Sequence, residues 1–244
     1  MKKLLVALVA LVLLVGSSFG GTITDDGPVW GDVAKLHIID TDGSGSCSGW
    51  MFTETELVTA GHCTKNLVSV TACFYPGPEE CANPVPLTLV GVDLVRDVAV
   101  FKVPAGQTYR PVEIRGNVLR VGERVYIVGF PEGVFAVTEG LYSQTHPAEP
   151  LWNDVVVSWL QHSVGSAPGS SGGSLVDAQG RLVGMHVGVQ HFGPYVHFEF
   201  GIAVPVHEIN VAVYRIMHGL VPPPPKPEPP ATPTACVFAP RCGI

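Results

Sequence analysis

The stretch Gly169-Ser170-Ser171-Gly172-Gly173 decides how the rest of the 244-residue chain is read. Three glycines free the backbone to make a tight, partly left-handed turn, with N–H groups turned inward and the central hydroxyl of Ser171 standing out. By itself the pentapeptide is a Gly/Ser-rich surface loop. A lone serine is a weak nucleophile, so the turn acquires chemical meaning only if a histidine base and an orienting carboxylate occur elsewhere.

Two stretches offer those groups. Thr59-Ala60-Gly61-His62-Cys63 follows the run Glu56-Leu57-Val58 and sets an imidazole at a strand end, beside a cysteine. Arg96-Asp97-Val98-Ala99-Val100-Phe101 sets a carboxylate at the head of an apolar strand, with Asp93 as a second acidic candidate. Taken singly, His62 is a surface histidine and Asp97 a solvated aspartate.

Around these stretches lie many short β-rich runs divided by turn residues: 33–39, 57–59, 67–75, 87–92 and 98–103, then 125–130, 134–142, 155–159, 174–176, 182–187 and 195–204. Runs of this length and spacing predict an all-β sandwich or barrel. The Pro- and Gly-containing segment 104–122 divides the two sets, which predicts two barrel-like halves, 22–110 and 111–205. One helix is expected over 206–219, where Ile209, Val213 and Ile216 recur near helical spacing and Gly219 is a stop.

Composition narrows the function. With 46% hydrophobic and 14% charged residues the chain can bury a large core. Its formal charge is −7, and losing Lys2 and Lys3 would leave about −9, a balance that excludes the Lys/Arg patches nucleic acid requires. Lys2-Lys3, an apolar run over 4–15 and then small residues read as a secretory signal over 1–20, cleaved near Gly20. The mature protein is therefore expected to be secreted or periplasmic, without a membrane association after signal removal. In an exported chain the six cysteines predict three local bridges, Cys47–Cys63, Cys73–Cys81 and Cys236–Cys242, among fifteen arithmetical pairings. No Cys/His spacing predicts a metal site, His191 and His197 beside His186 included, and no cofactor is expected. Residues 220–244, led by Pro222-Pro223-Pro224-Pro225, read as an extended polyproline spacer with a small Cys loop, or a plain tail, which leaves surface attachment open.

Taken together and in this order, Cys47-Ser48-Gly49-Trp50, Thr59-Ala60-Gly61-His62-Cys63, Asp97-Val98-Ala99-Val100 and Pro168-Gly169-Ser170-Ser171-Gly172-Gly173-Ser174 resemble the chymotrypsin/trypsin-like serine endopeptidases. The resemblance extends over about 33–219. Gly129-Phe130-Pro131 and Gly201-Ile202-Ala203-Val204-Pro205 before the final helix look most like bacterial HtrA-type and glutamyl endopeptidases. The resemblance implies two six-stranded antiparallel β-barrels with a C-terminal helix, and a protein or peptide substrate. It also implies Ser171 as nucleophile, His62 as general base and then acid, Asp97 as the group fixing its tautomer, and the N–H groups of Gly169 and Ser171 as oxyanion hole. Asp97 is preferred to Asp93 because it directly precedes the Val-Ala-Val strand.

Departures are informative. Gly61 stands where alanine is usual. Ser170 stands where the digestive enzymes carry an aspartate that pairs with a new N-terminal amine, so activation by N-terminal insertion has no partner. Residues 220–244 are too few and too proline-rich for the PDZ domain that HtrA-type enzymes usually carry. Gly165, at the position acidic in trypsin-like enzymes, disfavours Lys or Arg before the cut. Ser166 and His186 match positions where glutamyl endopeptidases hold a substrate carboxylate, so the preference is expected to be for Glu, or otherwise for small or aliphatic side chains. The competing function is a catalytically silent binding module on a protease fold.

Overall fold

The computed structural model describes residues 30–75, 81–150, 156–191 and 199–222. The expected signal segment 1–20, the tail from residue 223 onward with Cys236 and Cys242, and His197 lie outside the described residues.

Among the described residues seven strands make the first sheet: β1 (Val33–Asp40), β2 (Ser44–Met51), β3 (Glu56–Ala60), β4 (Leu67–Phe74), β5 (Val85–Pro86), β6 (Thr88–Asp93) and β7 (Val98–Lys102). Six make the second: β8 (Arg124–Gly129), β9 (Ala136–Pro150), β10 (Val156–His162), β11 (Ser174–Asp177), β12 (Leu182–His191) and β13 (Glu199–Pro205). The helix α1 (Val206–Met217) follows. Among the described residues the pairings between these strands are all antiparallel, and the second sheet closes into a barrel in the order β10-β13-β12-β11-β8-β9.

The first sheet differs from a six-stranded closed barrel. Its order is β5-β4-β1-β2-β3-β7-β6, with β5 and β6 at opposite edges. Those edges are consecutive in sequence, separated by Leu87 alone, whose N–H donates to Val70 O at 3.1 Å. The sheet therefore curls back on itself through the chain, in place of a hydrogen-bonded seam. Pro86 in β5 has no N–H to give to a ladder, which keeps that strand to two residues.

The pattern of each strand explains its place. In β1, Leu36 and Ile38 are buried while His37 and Ile39 are exposed, the alternation of a sheet with one face on the core. In β7, Val98, Ala99, Val100 and Phe101 are all buried because the strand is flanked by β3 and β6 and covered by α1. β2 is Ser/Gly-rich and is missing from the apolar runs read from sequence, yet it pairs with both β1 and β3. The helix buries Ile209, Ala212, Val213 and Ile216, an i, i+3, i+4, i+7 stripe, against strands of both sheets. It stops at Gly219 (φ +65°), where Leu220 N–H donates to Arg215 O at 2.7 Å.

Cys47 is bonded to Cys63 and Cys73 to Cys81. The first bond ties β2 to the turn that carries His62.

Candidate active site

At the end of β3 the chain enters a single 3-10 turn, Gly61–Thr64, which presents His62 with 43% of its side chain exposed. Gly61 is there for space: a Cβ would stand 3.0 Å from both Asp97 C and Val98 N. Alanine at this position would therefore push on backbone rather than on a flexible side chain. Gly61 N–H donates to Asp97 O at 2.9 Å, locking the two loops together.

Asp97 is 4% exposed and holds a left-handed backbone (φ +54°), a conformation that aspartate tolerates better than most residues. Its Oδ1 accepts from the His62 N–H at 2.6 Å, and its Oδ2 lies 2.8 Å from His62 Nδ1. Both carboxylate oxygens are thus spent on one histidine. Partial burial disfavours the imidazolium, but the hydrogen bond and the charge of Asp97 outweigh it, so the His62 pKa is raised above 6.5. Asp93 turns elsewhere, to Arg96 and Arg215.

The turn at 169–173 is seated on the same strand end. Gly169 and Gly172 have φ of +95° and +83°, as the glycine spacing requires. A Cβ on Gly172 would overlap Ser48 O and Thr59 Oγ1, so this turn packs directly on the segment leading to His62. Gly172 N–H donates to His186 O at 2.8 Å and Gly173 N–H to Ser170 O at 2.9 Å, while Ser170 is 1% exposed. Among the described residues the N–H groups of Gly169 and Ser171 have no acceptor, and no hydrogen bond joins Ser171 Oγ to His62. We expect Gly172→Ala to lose soluble folded protein, or about 3 kcal/mol of stability, because the residue meets both a left-handed φ and backbone overlap. Denaturant unfolding of the two chains checks this.

Ser48 is the participant that sequence reading left without a role. Fully buried in β2, it donates from Oγ to Gly169 O at 2.7 Å and accepts from Phe130 N–H at 2.8 Å; its own N–H donates to Ser171 O at 2.8 Å. Thr59 Oγ1 in turn donates to Ser48 O at 2.7 Å. Nothing in sequence could pair Ser48 with a residue 121 positions away.

Among the described residues no hydrogen bond joins the three candidate pocket residues to one another. Gly165 is exposed and its carbonyl accepts from Thr138 Oγ1 at 2.9 Å; Ser166 is half-buried, without a hydrogen bond to His186 among the described residues. His186 is 2% exposed, and its Nδ1 lies 3.3 Å from Nε2 of a second interior histidine, His162. The His162 ring fills the space above Gly201, where a Cβ would overlap it, and its Nδ1 accepts from Val164 N–H at 3.2 Å. Burial, with the neighbouring His62, lowers the His186 pKa to about 4, and burial, with His186, lowers that of His162 to about 3. His186 is therefore a neutral imidazole near pH 7.

Both native values lie below 6.5, so the unfolded chain takes up protons first and stability is lost as pH falls. The loss begins near pH 6.5 and continues until each native group titrates, near 4 and 3. It costs on the order of 1 kcal/mol per pH unit per histidine. His162→Gln should flatten that acid limb, as read from denaturant midpoints between pH 7 and 4.

A cleft of about 240 Å³ opens beside His62, lined by Asp40, Gly45, Cys47 and Lys65 among others. A larger cavity of about 370 Å³ lies between Leu119, Tyr142, Val183 and the start of α1, and holds none of the candidate residues. Among the described residues no three His, Cys, Asp or Glu side chains are grouped to hold a metal ion. No helix among them is long and apolar enough to cross a membrane.

The trypsin-like peptidase domain profile matches residues 47–185. The chain is 29% identical over 170 residues to "Serine protease Do-like HtrB" of Bacillus subtilis, covering 66% of this chain and 35% of that protein. It is 30% identical over 162 residues to "Probable periplasmic serine endoprotease DegP-like" of Halomonas elongata, covering 65% and 33%. It thus spans about a third of the length of these curated relatives. Among solved structures, "HtrA-type protease AlgW with tripeptide" superposes with a TM-score of 0.65 at 27% identity, covering 77% of this chain and 60% of that one. The active form of the Rv3671c protease from M. tuberculosis superposes with a TM-score of 0.66 at 20% identity, covering 79% and 82%, a likeness of fold.

Proposed function

Because the chain belongs to the trypsin-like peptidase family, we propose that it is an exported serine endopeptidase acting through Ser171, His62 and Asp97. The observation that carries this reading is the His62–Asp97 pair, held at 2.8 Å by a nearly buried carboxylate, with the Ser171 turn packed against the same strand end. His62 Nε2 takes the Ser171 proton as Oγ attacks the substrate acyl carbon, and His62 then returns it to the leaving amine. Water enters by the same route to release the acyl group. The free N–H groups of Gly169 and Ser171 receive the developing oxyanion, an effect worth about 3 to 4 kcal/mol in such sites. The periplasmic name of one relative supports export.

For the residue before the cut the two readings are Glu or a small or aliphatic side chain, and the neutral state of buried His186 bears on the first. A substrate carboxylate would be met by a neutral imidazole, and would form an ion pair with it only if His186 took up a proton on binding. If the residue is Glu, its advantage over Gln in KM should therefore grow as pH falls from 8 to 6.

The experiment is to treat the mature chain with a fluorophosphonate and offer it a peptide library, with products read by mass spectrometry. Labelling at Ser171 with defined cuts supports the proposal. A folded chain that neither labels nor cuts would sink it and leave the silent binding module.

A further inference from the structure

The loop that delivers Asp97 carries an ion network that the chemistry above does not use. Arg96, one residue before Asp97, donates from Nε to Glu208 of α1 at 2.9 Å and from Nη1 to Asp93 at 3.2 Å. Asp93 is 3% exposed; its carbonyl and Oδ1 accept from the Arg96 N–H at 3.2 and 3.3 Å, and its Oδ2 faces Arg215 Nε of α1 at 3.3 Å. The other oxygen of Glu208 faces Ser158 of β10 at 3.5 Å and His207 at 3.8 Å. One buried acid, two arginines and a helix-borne glutamate thus converge on the residue that enters a left-handed peptide.

That peptide is held from only one side by the site itself. Gly61 and His62 take the Asp97 carbonyl and carboxylate, and the network takes the residue before it. Left-handed backbone at a non-glycine residue persists only where its surroundings over-determine it, and an extended alternative would swing the carboxylate away from His62. A guanidinium with two carboxylate partners, one from each of two packed elements, is a geometrically specific clamp.

Resting on the protease reading, we infer that Arg96, clamped between Asp93 and Glu208, is a positioning residue that holds Asp97 in register with His62, so that α1 is a working part of the catalytic apparatus. The helix touches no reacting atom. It acts through Arg96 and the Asp97 backbone.

Position and charge predict opposite signs. Removing a nearby cation, with Asp97 unmoved, would raise the His62 pKa or leave it unchanged. Releasing Asp97 removes its hydrogen bond and lowers the pKa. The test therefore combines imidazole NMR titration of His62 with steady-state kinetics on the full chain, for Arg96→Met, Arg96→Lys and Glu208→Gln. The expected result for Arg96→Met is a lower His62 pKa and a kcat reduced about tenfold with KM within about twofold, since only the acid–base contribution is weakened. Glu208→Gln should move both in the same direction by less, and Arg96→Lys should restore part of each. Glu208→Gln also serves should Arg96→Met fail to fold. A His62 pKa that rises or stays, or a kcat that holds while only Tm drops, would overturn the inference. A wild-type chain that cleaves nothing, yet whose His62 pKa falls in the variants, would sink the protease reading and leave the clamp standing.

Discussion

Ser171→Ala is expected to lower kcat/KM by about 10⁴-fold or more and to abolish fluorophosphonate labelling, while leaving the fold intact. The hydroxyl is the only group removed, and its Oγ has no hydrogen bond among the described residues, so no structural partner is orphaned. The turn is held instead by its backbone, with Ser48 N–H on Ser171 O and Gly172 N–H on His186 O. Unfolding midpoints of the two chains should therefore agree within about 0.5 kcal/mol. Residual hydrolysis would measure what binding and the oxyanion hole supply alone. Equal activity in the variant would end the assignment of the nucleophile.

Asp97→Asn should be almost as damaging, about 10³- to 10⁴-fold in kcat, through a different cause. The amide keeps the size of the carboxylate, and asparagine accepts a left-handed φ, so the loop should persist. What is lost is an acceptor pair for one histidine. One oxygen still takes the His62 N–H, but the NH₂ now faces Nδ1 and favours the tautomer with its proton on Nε2, which cannot accept from Ser171. Removing the charge also removes what raises the His62 pKa, so the histidine should titrate lower by NMR. In the wild-type chain kcat/KM should rise with pH through a value above 6.5, because the base must be neutral to accept the proton.

Much of the architecture is legible from local patterns. Alternation in β1, the apolar run Val98–Phe101 of β7 and the helical stripe of α1 are each legible within one segment. β2 escaped that reading because six of its eight residues, 44–49, are serine, glycine or cysteine and make no apolar run. Its strand character comes from lying between β1 and β3, which its own composition does not announce. The open seam of the first sheet, expected as a closed barrel, escaped too, since its two edges are joined only through a single residue, Leu87.

By itself the sequence determined the chemical parts: a glycine-freed turn around Ser171, a histidine beside a bridged cysteine, an aspartate ahead of an apolar strand, and their order along an all-β chain. These are properties of short segments, where residue type dictates backbone freedom and protonation chemistry. Only the tertiary structure decided which groups meet. It gave both oxygens of Asp97 to His62, made Ser48 the hub of a turn 121 residues away, and set His162 against His186. The physical reason is that burial and hydrogen-bond partners depend on long-range packing. An imidazole's charge follows from those surroundings: His62, facing a carboxylate, is pushed up, and His186, buried in the interior near His62, is pushed down.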